Sequence, residues 1–226
     1  MFINCGGSDD NAITNDNNSN DVILIKKIVG SSSGTMLYTY NGNKLFRITS
    51  QNGFEEYTYS GDLITNVQGF NSNGQPDGYL EFYGYENGKL AVKKIYSNDE
   101  LVESYTFSYL NNSIKIIDLL ELNRYSLAYL DSNGNIFKIE YFFDNQNSNN
   151  TTIYNFDNKN SPFKNIIGLN EFVLRGPGVR NNTISHKVNN IIQNTFTWQY
   201  NDLNYPISVE SFDSNGNSIG VANLYY

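Results

Sequence analysis

Aromatic residues recur at every second position in short stretches along this chain, each followed by a Gly/Asn turn and a Leu- or Ile-led run. Tyr38-Thr39-Tyr40 leads into Asn41-Gly42-Asn43 and Leu45 to Ile48. Tyr57-Thr58-Tyr59 leads into Ser60-Gly61-Asp62 and Leu63 to Val67, and Tyr83-Gly84-Tyr85 into Glu86-Asn87-Gly88 and Leu90 to Val92. Side chains at i and i+2 of a strand share a face, so each unit encodes a β-hairpin with one aromatic face. The pattern continues through Tyr105 to Tyr109, Tyr125 to Tyr129, Phe137 to Phe143, Ile153 to Phe156, Phe196 to Tyr200 and the closing run Ile219, Val221, Leu224. Before the first unit, Val22 to Val29 is an apolar run of high β propensity.

The segment from Ser161 to Gly178 breaks this alternation. Ser161-Pro162 followed by Phe163, Ile166, Ile167 and Leu169 predicts one short helix near 162–172. Elsewhere, turn signals every 8–12 residues predict an all-β, antiparallel β-meander of about a dozen hairpin-linked strands. Consecutive hairpins pair as neighbours. Pairing alone leaves the sheet open, curled or closed; the cost of bare edges favours curling or cover. The expected form is an open twisted sheet or a half-barrel.

Of 226 residues, 15% are aromatic and 17% charged, with a net charge of −8. No basic patch is present, so nucleic acid is not an expected partner. Asn is abundant, which suits tight turns because Asn tolerates the left-handed conformation. The single cysteine excludes a disulfide framework within the chain. It lies in an N-terminal stretch, Phe2-Ile3-Asn4-Cys5-Gly6-Gly7-Ser8-Asp9-Asp10, that runs into polar residues up to Asp21. This stretch resembles the end of a bacterial lipoprotein signal peptide followed by the short acidic export signal of Bacteroidota surface lipoproteins. The resemblance implies lipidation at Cys5, membrane attachment through that lipid, and an outer-membrane address on the cell-surface side. The organisation expected is a signal remnant and flexible tether over 1–21, then a single repeat-built β domain over 22–226.

The hairpin units are similar to the YD/RHS-type repeats of large bacterial surface and toxin-shell proteins. They are closer to degenerate versions in Flavobacterium-type lipoproteins of unknown function, which Asp157 to Ile166 and Asn201 to Pro206 also resemble. No catalytic residues come with that resemblance.

Candidate chemistry is sparse. His186 is the sole histidine, which excludes a multi-histidine metal site, and no Gly-x-Ser-x-Gly turn accompanies it. Glu55, Glu56, Glu81, Glu103, Glu121 and Glu140 lie on or near strands, where a glycosidase pair would need a fixed separation. Asp131 to Asn135 and Asp213 to Asn217 have the oxygens of a calcium loop but place Gly fourth rather than sixth, and read as hairpin turns. No metal or cofactor is expected. The aromatics Tyr57, Tyr59, Tyr83, Tyr85, Trp198 and Tyr200 read first as cross-strand ladders and second as a ligand surface. With polar loops expected at 71–78, 145–150 and 175–182, the reading is a non-catalytic surface lipoprotein that binds or scaffolds an outer-membrane protein complex. An extracellular glycan is the alternative partner, and a glycoside-active enzyme a more distant one.

Overall fold

Each Tyr-x-Tyr unit carries a bulge at the same place. Tyr40 pairs with Leu45, but Thr39 pairs with Arg47, so Phe46 is the extra residue. Thr65 and Ala91 are the extra residues after Tyr59–Ile64 and Tyr85–Leu90. A bulge bends its strand and increases the local twist. Repeated from hairpin to hairpin, it coils the sheet until the first strand meets the last.

The computed structural model describes residues 22–31, 34–121, 123–144 and 146–226, with 147–149 described by backbone alone. The first half of the barrel is β1 (Lys27–Gly30), β2 (Gly34–Asn41), β3 (Lys44–Ser50), β4 (Gly53–Ser60), β5 (Leu63–Asn71), β6 (Pro76–Glu86), β7 (Lys89–Ser97) and β8 (Glu100–Tyr109). The second half is β9 (Ser113–Asp118), β10 (Arg124–Leu130), β11 (Ile136–Phe143), β12 (Gln146–Phe156), β13 (Thr183–Val188), β14 (Ile191–Tyr200), β15 (Pro206–Phe212) and β16 (Ser218–Tyr225). Every strand is antiparallel to its neighbours, and β1 pairs with β16 through Lys27↔Tyr225 to Gly30↔Ala222. The barrel is closed.

This corrects the expected open sheet or half-barrel of about a dozen strands. The physical reason is the recurrent bulge together with additional strands. Residues 146–150, expected as a polar loop, form the start of β12, with Gln146 and Asn147 opposite Phe143 and Phe142. Of residues 71–78, also expected as a polar loop, half are strand, because β5 and β6 leave only the turn 72–75 between them.

Asn supplies many of the turns. Asn98-Asp99 and Asn189-Asn190 hold positive φ at both turn positions, which matches the twist of the strands they join.

The chain between β12 and β13, residues 157–182, does not run over the surface. It enters the barrel from the rim reached by the even-numbered strands and fills that end as a plug. The helix expected over 162–172 is displaced and short: 162–168 are turns, and α1 spans only Glu171–Leu174. Asn170 caps it, its side chain accepting from the N–H groups of Phe172 and Val173. The apolar residues of the segment face the wall instead of a helical stripe. Ile166 packs with Ile25, Tyr38, Leu45 and Leu224. Val173 packs with Ile64, Val67, Tyr83, Leu90, Phe107 and Ile136.

Backbone hydrogen bonds fasten the plug to the rim. The Ile167 N–H donates to the Asn43 carbonyl at 3.0 Å. The Tyr59 hydroxyl accepts from the Leu45 N–H at 3.0 Å and donates to the Ile167 carbonyl at 3.1 Å. Asn165 Nδ2 donates to the Ile23 carbonyl and to the Tyr205 hydroxyl. Gly168 has φ +77 and lies so close to the β4–β5 turn that an added Cβ would come within 2.5 Å of the Asp62 carbonyl.

Candidate functional site

The polar chemistry of the barrel converges where the plug tip, Arg175-Gly176-Pro177, meets the inner wall. Glu55 in β4 and Glu81 in β6, with β5 between them, point inward, and Arg175 reaches both. Its Nε lies 2.6 Å from Glu81 and its Nη2 3.1 Å from Glu55. On the other side of Glu81, Lys93 Nζ lies 3.6 Å away and also donates to the Phe172 carbonyl at 3.2 Å. The Tyr79 and Tyr83 hydroxyls donate to Glu81, and the Tyr57 hydroxyl donates to Glu55 at 3.2 Å.

Glu81 is fully buried. A buried carboxylate without partners would be costly, and here two cations and two phenols surround it. Burial lowers the pKa of Lys93, against the opposing effect of Glu81. Burial also raises the Tyr57 and Tyr79 phenols, assisted by Glu55 and Glu81 respectively. These groups therefore form a charge-neutral clasp that holds the plug tip against the wall. Arg175 itself sits at φ 63 and ψ 30, a left-handed conformation disfavoured for a residue with a Cβ. Its side-chain bonds hold it there.

Beyond the plug tip the barrel is hollow on the β8–β12 side. A chamber of about 290 Å³ is lined by Phe107, Ile116, Ile136, Ile139, Tyr154 and Phe172, among others. Glu171 also borders it. The carboxyl of Glu171 accepts the Val179 N–H at 3.1 Å through Oε1, while Oε2 has no hydrogen-bond partner among the described residues. Burial raises its pKa to about 7, against the backbone N–H groups of Val179 and Gly178. A second space, bounded by Tyr105, Asp118 and Tyr141, continues towards the opposite rim. A third opens there between Glu121, Arg124, Phe143 and Val188.

A porin-like protein from Bacteroides vulgatus superposes with a TM-score of 0.59 at 12% identity, over 91% of this chain and 99% of that one. The fold resembles that of a porin-like protein. A second porin-like protein, from Bacteroides uniformis, gives a TM-score of 0.38 at 14% identity, over 84% and 76% of the two chains. The Photorhabdus luminescens Tc holotoxin pore gives 0.24 at 12%, over 82% of this chain and 9% of that one. Those two superpositions are too loose to bear on the fold. No family model and no curated protein matches the sequence.

Side-chain polarity departs from that of a barrel in lipid, which carries an apolar band outside and a polar lumen inside. Here charged side chains recur on the outer face, among exposed apolar ones such as Leu37, Phe46 and Phe82. Arg47 lies opposite Glu56 on β3 and β4, and its guanidinium covers the Phe54 ring. Lys94 lies opposite the exposed Phe82, and Lys115 opposite Leu127. Lys138 and Glu140 pair along the outside of β11 at 2.5 Å, and Glu210 lies opposite Thr197. The inner face is aromatic and aliphatic and packs on the plug.

The six aromatics singled out in the sequence lie on the inner face. Tyr83 is 1% exposed. Tyr57 packs between the two core clusters, and Tyr59 bonds the plug. The Tyr85 hydroxyl donates to the Ile64 carbonyl at 2.8 Å, Trp198 Nε1 to the Thr183 carbonyl at 2.8 Å, and the Tyr200 hydroxyl to Asp157. Cys5 lies outside the described residues. His186 stacks on Tyr154 inside the barrel, 5.1 Å between centroids. The Asp131 and Asp213 carboxylates accept the backbone N–H groups of their own turns, as a hairpin requires.

Sequence reasoning missed Arg175, Lys93 and Glu171. Arg175 was assigned to a surface loop; its signal was the unpaired apolar content of 161–174, which needs a wall to pack on.

Proposed function

We propose that this chain is a non-catalytic lipoprotein of a bacterial outer membrane, tethered through Cys5. Its plugged barrel stands in water as a binding or scaffolding accessory of an outer-membrane protein complex. The observation that carries the reading is the recurrence of charged side chains on the outer face. Each Arg or Lys held at the bilayer midplane would cost about 2–4 kcal/mol, and these residues recur around the wall. A tether explains membrane attachment without requiring the strands to cross. The clasp of Glu55, Arg175, Glu81 and Lys93 supports a non-catalytic role, because both carboxylates are neutralised and Glu81 is sealed from any substrate. The inward placement of Tyr57, Tyr59, Tyr83, Tyr85, Trp198 and Tyr200 favours the scaffold over a glycan bound on those six rings.

Expression with a full lipoprotein signal, with and without Cys5→Ala, tests the tether. Palmitate incorporation and membrane recovery should both be lost in the variant. Retention of the variant in washed membranes would show that the barrel itself inserts. Affinity purification from native membranes should recover a stoichiometric outer-membrane partner, and a barrel recovered alone would end the scaffold reading.

A further inference from the structure

The hollow on the β8–β12 side is a path. Its inner chamber, near 290 Å³, ends on Phe107, Ile136 and Phe172. A cavity of roughly half that volume, lined by apolar side chains, accommodates benzene, so the chamber has room for roughly a dozen heavy atoms. The middle space shares Tyr105 and Ile116 with the chamber, and Tyr141, Glu121 and Arg124 with the outer space. Along β11 the three spaces run from Ile136 to Phe143, about 20 Å at the rise of a strand.

Polarity changes along this path in one direction. The inner end is walled mainly by Phe107, Ile116, Ile136, Ile139 and Phe172, with Lys93 and Arg175 engaged in the Glu81 clasp and Glu171 bonded to the Val179 N–H at its plug side. The outer end carries Asp118 and the Glu121–Arg124 ion pair, with Asp144 in the adjoining turn, leaving an excess of negative charge. Large apolar side chains surround the opening: Leu119, Leu120, Phe143 (56% exposed) and Ile191 (65% exposed). A long, narrow cavity with an apolar end, an acidic mouth and an apolar lip fits one kind of molecule.

We infer that the barrel binds one single-chain amphiphile tail-first, its alkyl tail against Phe107, Ile116, Ile136, Ile139 and Phe172, and its neutral or cationic head at Asp118 and Glu121. The lip captures the tail, and the mouth selects against an anionic head. The inference deepens the binding reading proposed above, independently of the tether and of any scaffold partner.

The purified full chain is titrated calorimetrically with dodecyltrimethylammonium, dodecyl maltoside and laurate, each below its micelle concentration. The first two should saturate at one per barrel, and laurate should bind at least about tenfold more weakly. An equally tight laurate overturns the head-group assignment, and absence of saturable binding for all three overturns the site. Ile139→Trp, which fills the chamber, should weaken binding by about tenfold or more, a loss of about 1.4 kcal/mol, while Leu37→Trp on the outer face leaves it unchanged. Should Ile139→Trp fail to fold, the wild type still decides the matter. A chain-end nitroxide on the trimethylammonium probe should broaden the Ile136 and Ile139 methyl signals, and broadening confined to Leu119 and Leu120 refutes tail-first binding. Failure in these arms leaves the scaffold reading to the affinity purification described above.

Discussion

Replacing Glu171 by Gln should make the barrel markedly more stable at pH 8 and change it by less than about 1 kcal/mol near pH 5. Glu171 is 8% exposed, and only one of its carboxyl oxygens is hydrogen-bonded. Its pKa rises from 4.5 to about 7 on folding, with burial the main cause. The folded state therefore holds the proton more tightly than the unfolded chain does. Between these two values the native protein carries more protons, so stability falls as pH rises. At about 1.36 kcal/mol per unit, the loss approaches 3 kcal/mol once the pH exceeds 7. Gln reproduces the protonated side chain and keeps the acceptor for the Val179 N–H, so it avoids that loss. For a domain of this size each kcal/mol shifts Tm by about 2–4 °C, which predicts a gain of roughly 6–12 °C at pH 8. Urea unfolding of both proteins at pH 5, 6, 7 and 8 gives the comparison directly. Because His186 and the other carboxylates are common to both, their contributions cancel in the difference. A difference that stays constant from pH 5 to pH 8 would refute the reasoning.

Three further outcomes follow from the plug. Arg175→Met should destabilise the barrel by about 3 kcal/mol because it strips a partner from the buried Glu81, and adding Glu81→Gln should recover part of that loss in a double-mutant cycle read by chemical denaturation. Gly168→Ala should cost about 2 kcal/mol, through its positive φ and the 2.5 Å approach of its Cβ to the Asp62 carbonyl, and should speed proteolysis within 157–182. Trp198→Phe should cost about 1 kcal/mol for the lost bond to the Thr183 carbonyl, measured as a shift in the urea midpoint with the m-value unchanged.

The hairpins were legible because their signals are local. Asn-Gly and Gly-Asn turns and Tyr-x-Tyr alternation depend on neighbouring residues alone, and the strands appear where those signals place them. Closure was harder to read because it depends on a small departure repeated many times. After each turn the inward residues are three apart, Leu45 and Ile48 or Ile64 and Val67, where plain alternation would set them two apart. That spacing is the bulge written in sequence. The strand at 146–150 lacked any apolar face to reveal it, since its polar residues are held by pairing with β11. The clasp was invisible for a different reason. Glu55, Glu81, Lys93 and Arg175 are scattered over the chain, and the partner that joins them sits in what composition alone marks as a loop.

Among the described residues, the four-residue ladder between β1 and β16 joins the most distant parts of the chain. The other pairings join consecutive strands, and all but β12–β13, which spans the plug, close short turns and can form rapidly and independently. Closing the ring brings together residues about two hundred apart, at a loop-closure cost of about 5 kcal/mol. The plug must also be enclosed before the seam shuts. Folding should therefore show fast hairpin formation followed by a slow, cooperative sealing step. A circular permutant that joins Tyr226 to Val22 through a short linker, keeping the buried Ile25, and opens within the exposed 213–217 turn would make the seam a local connection. It should seal faster while keeping the same barrel.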